Sequence, residues 1–159
     1  MTWEEFIAID PLDWTHIIAA LAIGTIVGLE RQLRGKPVGI RTSSLIVLGT
    51  YVFVELSNTI SNSGTDNSRI IGQVVTGVGF LGAGVMLAKD GIVLGVTSAA
   101  TIWALAAIGV ALSVGTPGLA IKLALLVVII LVGVDILENY SSAFTRGVHS
   151  RYSTWRNKH

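Results

Sequence analysis

The sequence predicts an all-α protein: a polytopic membrane helix bundle with five transmembrane helices, the N-terminus outside and the C-terminus cytoplasmic. Three observations predict it. Charged residues make up 13% of the chain and hydrophobic ones 52%, whereas soluble domains carry about 25% charge. Five apolar blocks recur along the 159 residues, each close to the ~20 residues that cross a ~30 Å hydrocarbon core. Lysine and arginine gather on alternate connections between the blocks, the pattern that orients membrane proteins.

The blocks fall at about residues 12–29, 42–56, 70–88, 92–114 and 119–137. The second is the shortest and is expected to extend into polar residues. With five spans, Arg31, Arg34, Lys36, Arg41, Lys89, Arg146, Arg151, Arg156 and Lys158 share one side. Arg69 and Lys122 alone lie on the other, together with Glu4, Glu5, Asp10, Asp13 and Asp66. Nine basic residues against two set the nine on the cytoplasmic side. The opening MTWEEF is acidic where a signal peptide is basic, so the first block is read as a retained span. The expected organisation is a membrane domain over residues 1–139 and a short basic cytoplasmic tail over 140–159. Trp3 and Trp14 at one end, and Tyr152 and Trp155 in the tail, suit the headgroup zone.

Residues 66–84, DNSRIIGQVVTGVGFLGAG, are the most unusual stretch. Glycine disfavours a helix in water by roughly 1 kcal/mol per residue, but small residues let membrane helices approach closely. Gly77-Val78-Gly79-Phe80-Leu81-Gly82 spells G-x-G-x-x-G. The nucleotide reading of that motif needs a preceding strand and an acid about 20 residues later, and neither is present. On a helix, Gly72, Thr76, Gly79 and Ala83 share one face, with Gln73, Gly77, Phe80 and Gly84 beside it. Arg69 lies one turn before Gln73. Val74, Val78, Leu81 and Val85 take the opposite side. The small, polar side serves either close helix packing or a polar path, and both readings put this helix at the centre of the bundle.

The first span carries His16, Ala20, Gly24 and Gly28 at every fourth position, and Gly24-x-x-x-Gly28 suits helix contact. Gly24, Gly28, Gly72, Gly77, Gly79, Gly82 and Gly84 are the candidate packing residues. The fourth span repeats the theme with Thr97, Ala100, Thr101, Ala104, Ala107 and Ala111. Candidates for a polar path or gate are Glu30, Arg41, Thr42, Glu55, Arg69, Gln73, Thr97 and Thr101, since polar groups within membranes usually mark a path or a partner. Glu30 is placed to pair with Arg41 across the basic loop at 31–41. Asp135 and Glu138, three apart, are the weak candidates for a metal or for pairing with Arg146.

No cysteine is present, which excludes disulfides and Cys-based metal sites. No nucleophile, base and orienting group stand together, so no enzyme is expected. The basic residues follow topology rather than forming an aromatic-laced patch, which argues against nucleic acid.

The words Gly28-Leu29-Glu30-Arg31, Arg34-Gly35-Lys36-Pro37 and Gly39-Ile40-Arg41-Thr42 come first. Asp66, Arg69 and Gln73 follow, leading into Gly77-Val78-Gly79-Phe80-Leu81-Gly82-Ala83-Gly84. Gly95-Val96-Thr97-Ser98-Ala99-Ala100-Thr101 and Trp103 come last. In this order and spacing, over about three-quarters of the chain, the sequence resembles the N-terminal membrane domain of the MgtC/SapB family. The resemblance implies a multi-pass protein of the bacterial inner membrane with five spans. It also brings an association with magnesium and growth at low magnesium, without making Mg²⁺ a resident cofactor. Longer members carry a soluble C-terminal domain where this chain has a short tail. Two functions are expected from residues and resemblance together. One is a regulatory or interaction protein acting through close helix packing, as a homo-oligomer such as a dimer or with another membrane protein. The alternative is a small ion or solute transporter or channel, Mg²⁺-linked in one form, with a path lined by spans 1, 2 and 3.

Overall fold

The computed structural model describes residues 3, 7–60, 68–89 and 92–140. Five helices carry the fold: α1 (Trp14–Leu33), α2 (Ile40–Ile60), α3 (Ser68–Gly84), α4 (Val96–Val114) and α5 (Pro117–Tyr140). A two-stranded antiparallel hairpin, β1 (Leu87–Lys89) and β2 (Ile92–Leu94), joins α3 to α4, with Leu87 opposite Leu94 and Lys89 opposite Ile92. The protein is an all-α membrane bundle. Four helices are long and apolar enough to cross a bilayer by themselves. The fifth, α3, has 17 residues and spans ~25 Å at 1.5 Å per residue. Asp66, the tail and the Glu138 side chain lie outside the described residues.

The helices alternate in direction. Contacts of Gly28 with Ile40, Arg31 with Ser98, Gly82 with Ala99 and Arg34 with Asp135 gather five helix ends at one pole. These are the C-terminal ends of α1, α3 and α5 and the N-terminal ends of α2 and α4. We call this the arginine pole.

Each start and stop has a local cause. Asp13 caps α1: its carboxylate accepts from the backbone N–H of Thr15 at 2.5 Å and of His16 at 3.3 Å, satisfying donors that a helix start leaves free. After α1, Gly35 takes φ +63 and Val38 φ +69. A positive φ is costly for a β-branched residue. Val38 is nonetheless buried, and its carbonyl accepts from the Ser43 hydroxyl at 3.0 Å. Before α4, Gly95 has φ +87, and a Cβ there would lie 2.2 Å from the Val85 carbonyl oxygen. Only glycine fits both requirements.

Packing is closest between α1 and α2. A Cβ on Gly24 would lie 2.3 Å from Ser44 Cα, and one on Gly28 would lie 2.5 Å from Ile40 Cα. Four residues along α1 match four residues back along α2, as expected when i±4 ridges interlock. On α4, Gly109 meets Val47 and Thr50 of α2 in the same way. Ile23, Val27, Val47, Leu105 and Leu112 fill the space between these three helices. α5 lies along α1 and α4 and buries Ala120 and Ala124, four residues apart. Its other side exposes Leu125, Leu126, Ile129 and Ile130, the apolar surface a bilayer accepts.

Two expectations need correction. The third and fourth blocks do not run as helix to residue 88 and from residue 92. Helix α3 stops at Gly84 and α4 starts at Val96, with the hairpin between them. Asp90-Gly91 between short apolar runs is a strong hairpin signal, and Gly95 forces the backbone reversal before α4. Nor does α3 occupy the centre. It packs on α4, touches α2 along a thin edge, and buries only Val78 and Gly82 among its residues. The centre belongs to α1, α2 and α4, whose glycines are the ones in close contact.

Candidate functional site

The polar residues separate into three places. At the arginine pole, Glu30, Arg31, Arg34, Ser98 and Asp135 form a charged cluster joining α1, α4 and α5. Arg31 is 4% exposed, and its Nη2 donates to Ser98 Oγ at 2.9 Å. Glu30 is also buried, with Arg34 Nε 2.8 Å from its Oε1 and Arg31 Nη1 3.9 Å from Oε2. Arg34 reaches further, to an ion pair with Asp135 of α5. One guanidinium thus spans two carboxylates from different helices, which its forked geometry permits. Neither Glu30 oxygen receives a well-aligned hydrogen bond, nor does Arg31 Nε donate one. Two acids and two arginines balance in charge: burial of Glu30 and Arg31 is tolerable because the cluster is neutralised, while the Arg34 and Asp135 side chains stay 29% and 46% exposed.

The expected Glu30–Arg41 pair is not formed. Glu30 turns to Arg34, one helical turn along α1, while Arg41 and Thr42 lie exposed at the start of α2. The spacing of four between Glu30 and Arg34 is the favourable order on a helix, so this partner was readable. Asp135 pairs with Arg34 rather than standing open as a ligand. Among the described residues, no three or more His, Asp or Glu side chains gather where a metal ion could sit. Ser98 was not anticipated. A serine in an apolar helix gives no sign that an arginine 67 residues earlier will reach it.

At the opposite pole, Glu55 on α2 accepts a hydrogen bond from Ser113 Oγ of α4 at 2.7 Å, and Asn58 Nδ2 donates to Ser113 Oγ at 3.4 Å. Nearby, the His16 ring stacks on buried Tyr51 at 5.6 Å, and the Tyr51 hydroxyl accepts from the Asp13 backbone N–H at 3.2 Å. Hydrogen bonds from Thr15, its side chain first and then its backbone, hold the Asp13 carboxyl below its ordinary value.

The third place is the outward side of α3. Arg69, Gln73 and Thr76 are exposed, and nothing lies within 4 Å of a Cβ built on Gly72, Gly77, Gly79 or Gly84. Gly82 alone of this group meets a neighbour, Ala99 at 3.6 Å, which is ordinary contact. Phe80 is 82% exposed among these glycines. Between α3 and α4, a groove of about 160 Å³ is lined by Ile71, Val74, Val78, Trp103, Ala106 and Val110. Its walls are apolar, so it offers an ion nothing. Thr97 is exposed, and Thr101 is buried with its hydroxyl donating to the Thr97 carbonyl at 2.8 Å. The polar candidates therefore do not converge on one path.

Apolar outer surfaces on most helices, close glycine contacts inside and a neutralised charge cluster at one end define a polytopic helical membrane protein. A family model described as the MgtC family matches residues 17–140, and the chain belongs to that family. The "Putative magnesium transporter YhiD" of Escherichia coli strain K12 is 46% identical over 106 residues, covering 62% of this chain and 49% of that protein. Protein MgtC of Salmonella typhimurium strain LT2 is 41% identical over 100 residues, covering 63% of this chain and 42% of that protein. The chain thus spans about half the length of the curated relatives it matches. No solved structure matches it.

Proposed function

We propose that this MgtC-family chain is a regulatory protein of the bacterial inner membrane, N-terminus outside and C-terminus cytoplasmic, that acts by contact between membrane helices. The observation that carries this reading is the open small-residue face of α3. A Cβ built on any of four glycines there meets nothing within 4 Å among the described residues. Glycine within a helix costs roughly 1 kcal/mol relative to alanine, and close approach of another helix is its main use in bilayers. The orientation rests on the loop charges: the arginine pole faces the cytoplasm.

Transport is the competing reading, because one relative carries a transporter's name. Against it stands the separation of Glu30, Glu55 and Gln73 into three unconnected places. Two measurements decide. A Cβ on Gly79 meets nothing within 4 Å among the described residues, so Gly79→Leu is expected to leave the fold intact and to abolish rescue of a deletion strain's growth at low magnesium. Rescue at the parent's level sinks the helix-contact reading. The purified parent in liposomes is expected to give no Mg²⁺ flux above empty vesicles, and a saturable flux favours the transporter.

A further inference from the structure

We infer that residues 134–140, the arginine-pole end of α5, form a movable arm that is hinged at Gly133 and held to the bundle by an ionic latch between Asp135 and Arg34. The inference goes beyond the α3 contact and does not depend on it.

The first argument is where the packing of α5 stops. Ala120 and Ala124 are buried, and Ile121, Val127, Val128 and Leu131 pack against the core. Among the described residues, no side chain of α5 beyond Leu131 does so. Val134, Ile136 and Leu137 are about half exposed, and Tyr140 is 92% exposed. Gly133 lies at this boundary. A Cβ there would meet nothing within 4 Å, so no close contact calls for glycine, and glycine weakens a helix interior. Hinges often fall at small residues near the ends of elements.

The second argument is what remains to hold the arm. Among the described residues, the Asp135–Arg34 ion pair is the one side-chain polar contact from α5 to another helix. Exposure rises along the cluster, from 5% for the Arg31 side chain and 8% for Glu30 to 29% for Arg34 and 46% for Asp135. The latch is therefore the wettest link of the cluster. An ion pair so placed shifts an equilibrium by about two- to fivefold and weakens in salt. Asp135 can also leave without stranding the buried carboxylate, because Glu30 keeps Arg34 Nε at 2.8 Å from within its own helix. Opening is thus cheap and reversible, and the pair sets how often it happens.

The chain has no cysteine, so spin labels can be placed in chosen pairs. Leu45→Cys on α2 is combined with Leu137→Cys in the arm, or with Ile129→Cys before the hinge; all three positions are exposed. Distances are read by electron double resonance in nanodiscs, with labelled chains diluted in unlabelled ones. Asp135→Asn is expected to move the ratio of closed to open 45–137 distances about two- to fivefold towards open. The 45–129 distances should stay unchanged, and Asp135→Glu should keep the parent's distribution. About 1 M salt, which screens charges beyond ~3 Å, should shift the parent in the same direction and leave Asp135→Asn where it is. A 45–137 distribution identical in the parent and Asp135→Asn overturns the latch. Equal shifts of 45–137 and 45–129 overturn the hinge, because α5 then moves as one body.

Discussion

Gly24→Ala is the most direct test of what holds the bundle together. The added methyl would lie 2.3 Å from Ser44 Cα, 2.5 Å from Ser44 N and 2.7 Å from Ser44 Oγ, whereas ordinary contact begins at 3.4 Å. Two of the three atoms are backbone, so no rotamer change relieves the clash. Helices α1 and α2 must part by about 1 Å, which also loosens Gly28 against Ile40 one turn on. Overpacking of this kind costs about 1–3 kcal/mol, and the upper end applies where backbone must move. Alanine recovers about 1 kcal/mol of helix propensity. The net loss is about 2 kcal/mol, roughly thirtyfold in the folding equilibrium. Gly79→Ala is the matched control: the same methyl meets nothing within 4 Å and should be neutral or stabilising by up to about 1 kcal/mol. Reversible unfolding in mixed micelles, titrated with SDS and followed by far-UV circular dichroism, reads both in chains dilute enough to be single. Equal midpoints for the two variants would refute the assignment of Gly24 to a closed contact and Gly79 to an open one.

The remaining predictions concern the two poles. Ser98→Ala takes from Arg31 Nη2 its bond to α4, and hydrogen bonds to charged groups contribute about 1.5–3 kcal/mol. The same SDS titration should show a loss in that range, while Ser98→Thr, which keeps the hydroxyl, should lose less. A Ser98→Ala variant as stable as the parent would mean that Arg31 is satisfied without α4. Asp13 has its carboxyl value lowered in the folded chain, so its cap supports α1 above the unfolded value and the support is lost as pH falls through the folded one. The Thr15 amide proton resonance should therefore titrate with a midpoint below the unperturbed value of about 3.9. Asp13→Asn, which keeps an acceptor but not the charge, should abolish that titration.

Most of the architecture was legible because the bilayer imposes a coarse, repeated rule: about twenty apolar residues, then a charged turn. Gly24 and Gly28, four positions apart, also pointed to a close helix contact on α1, though spacing alone did not say that α2 makes it. What the sequence hid was direction. The periodicity of residues 69–84 separates a small, polar side from a Val/Leu side correctly, but in a membrane either side can face inward. Apolar side chains pack as well against protein as against lipid, so polarity does not choose. The choice falls to shape: Val74 and Val78 fit the side of α4 near Trp103 and Ala106. The centre was already occupied by α1, α2 and α4, whose glycines meet backbone. Pairing among charges was half legible. Glu30 and Arg34 share a helix, so spacing predicts them. Arg31–Ser98 and Arg34–Asp135 join distant segments, and spacing along the chain says nothing of them.

The same division bears on transport. Gly24 and Gly28 press α1 onto α2, and Gly109 presses α4 onto α2, with Ile23, Val27, Leu105 and Leu112 buried among the three helices. A hydrated path through that interior would have to part helices whose backbones touch, and between the charged groups at its two ends it would find the hydroxyls of Ser43, Thr50 and Thr101 but no charged side chain. The surface of α3 is different. Its polar and small residues run from one end towards the other, and among the described residues this face is open. If solute does move, the route that costs least runs along this face, past Gln73 and Thr76, against whatever helix covers it. Flux and growth rescue would then fall together in Gly79→Leu, while Gly24→Ala would weaken each only through the fold. A regulatory contact makes a different demand: the helix contact can form, and the function persist, with no flux at any stage. The relation between flux and growth rescue across these two variants therefore discriminates between the readings more sharply than either measurement on the parent.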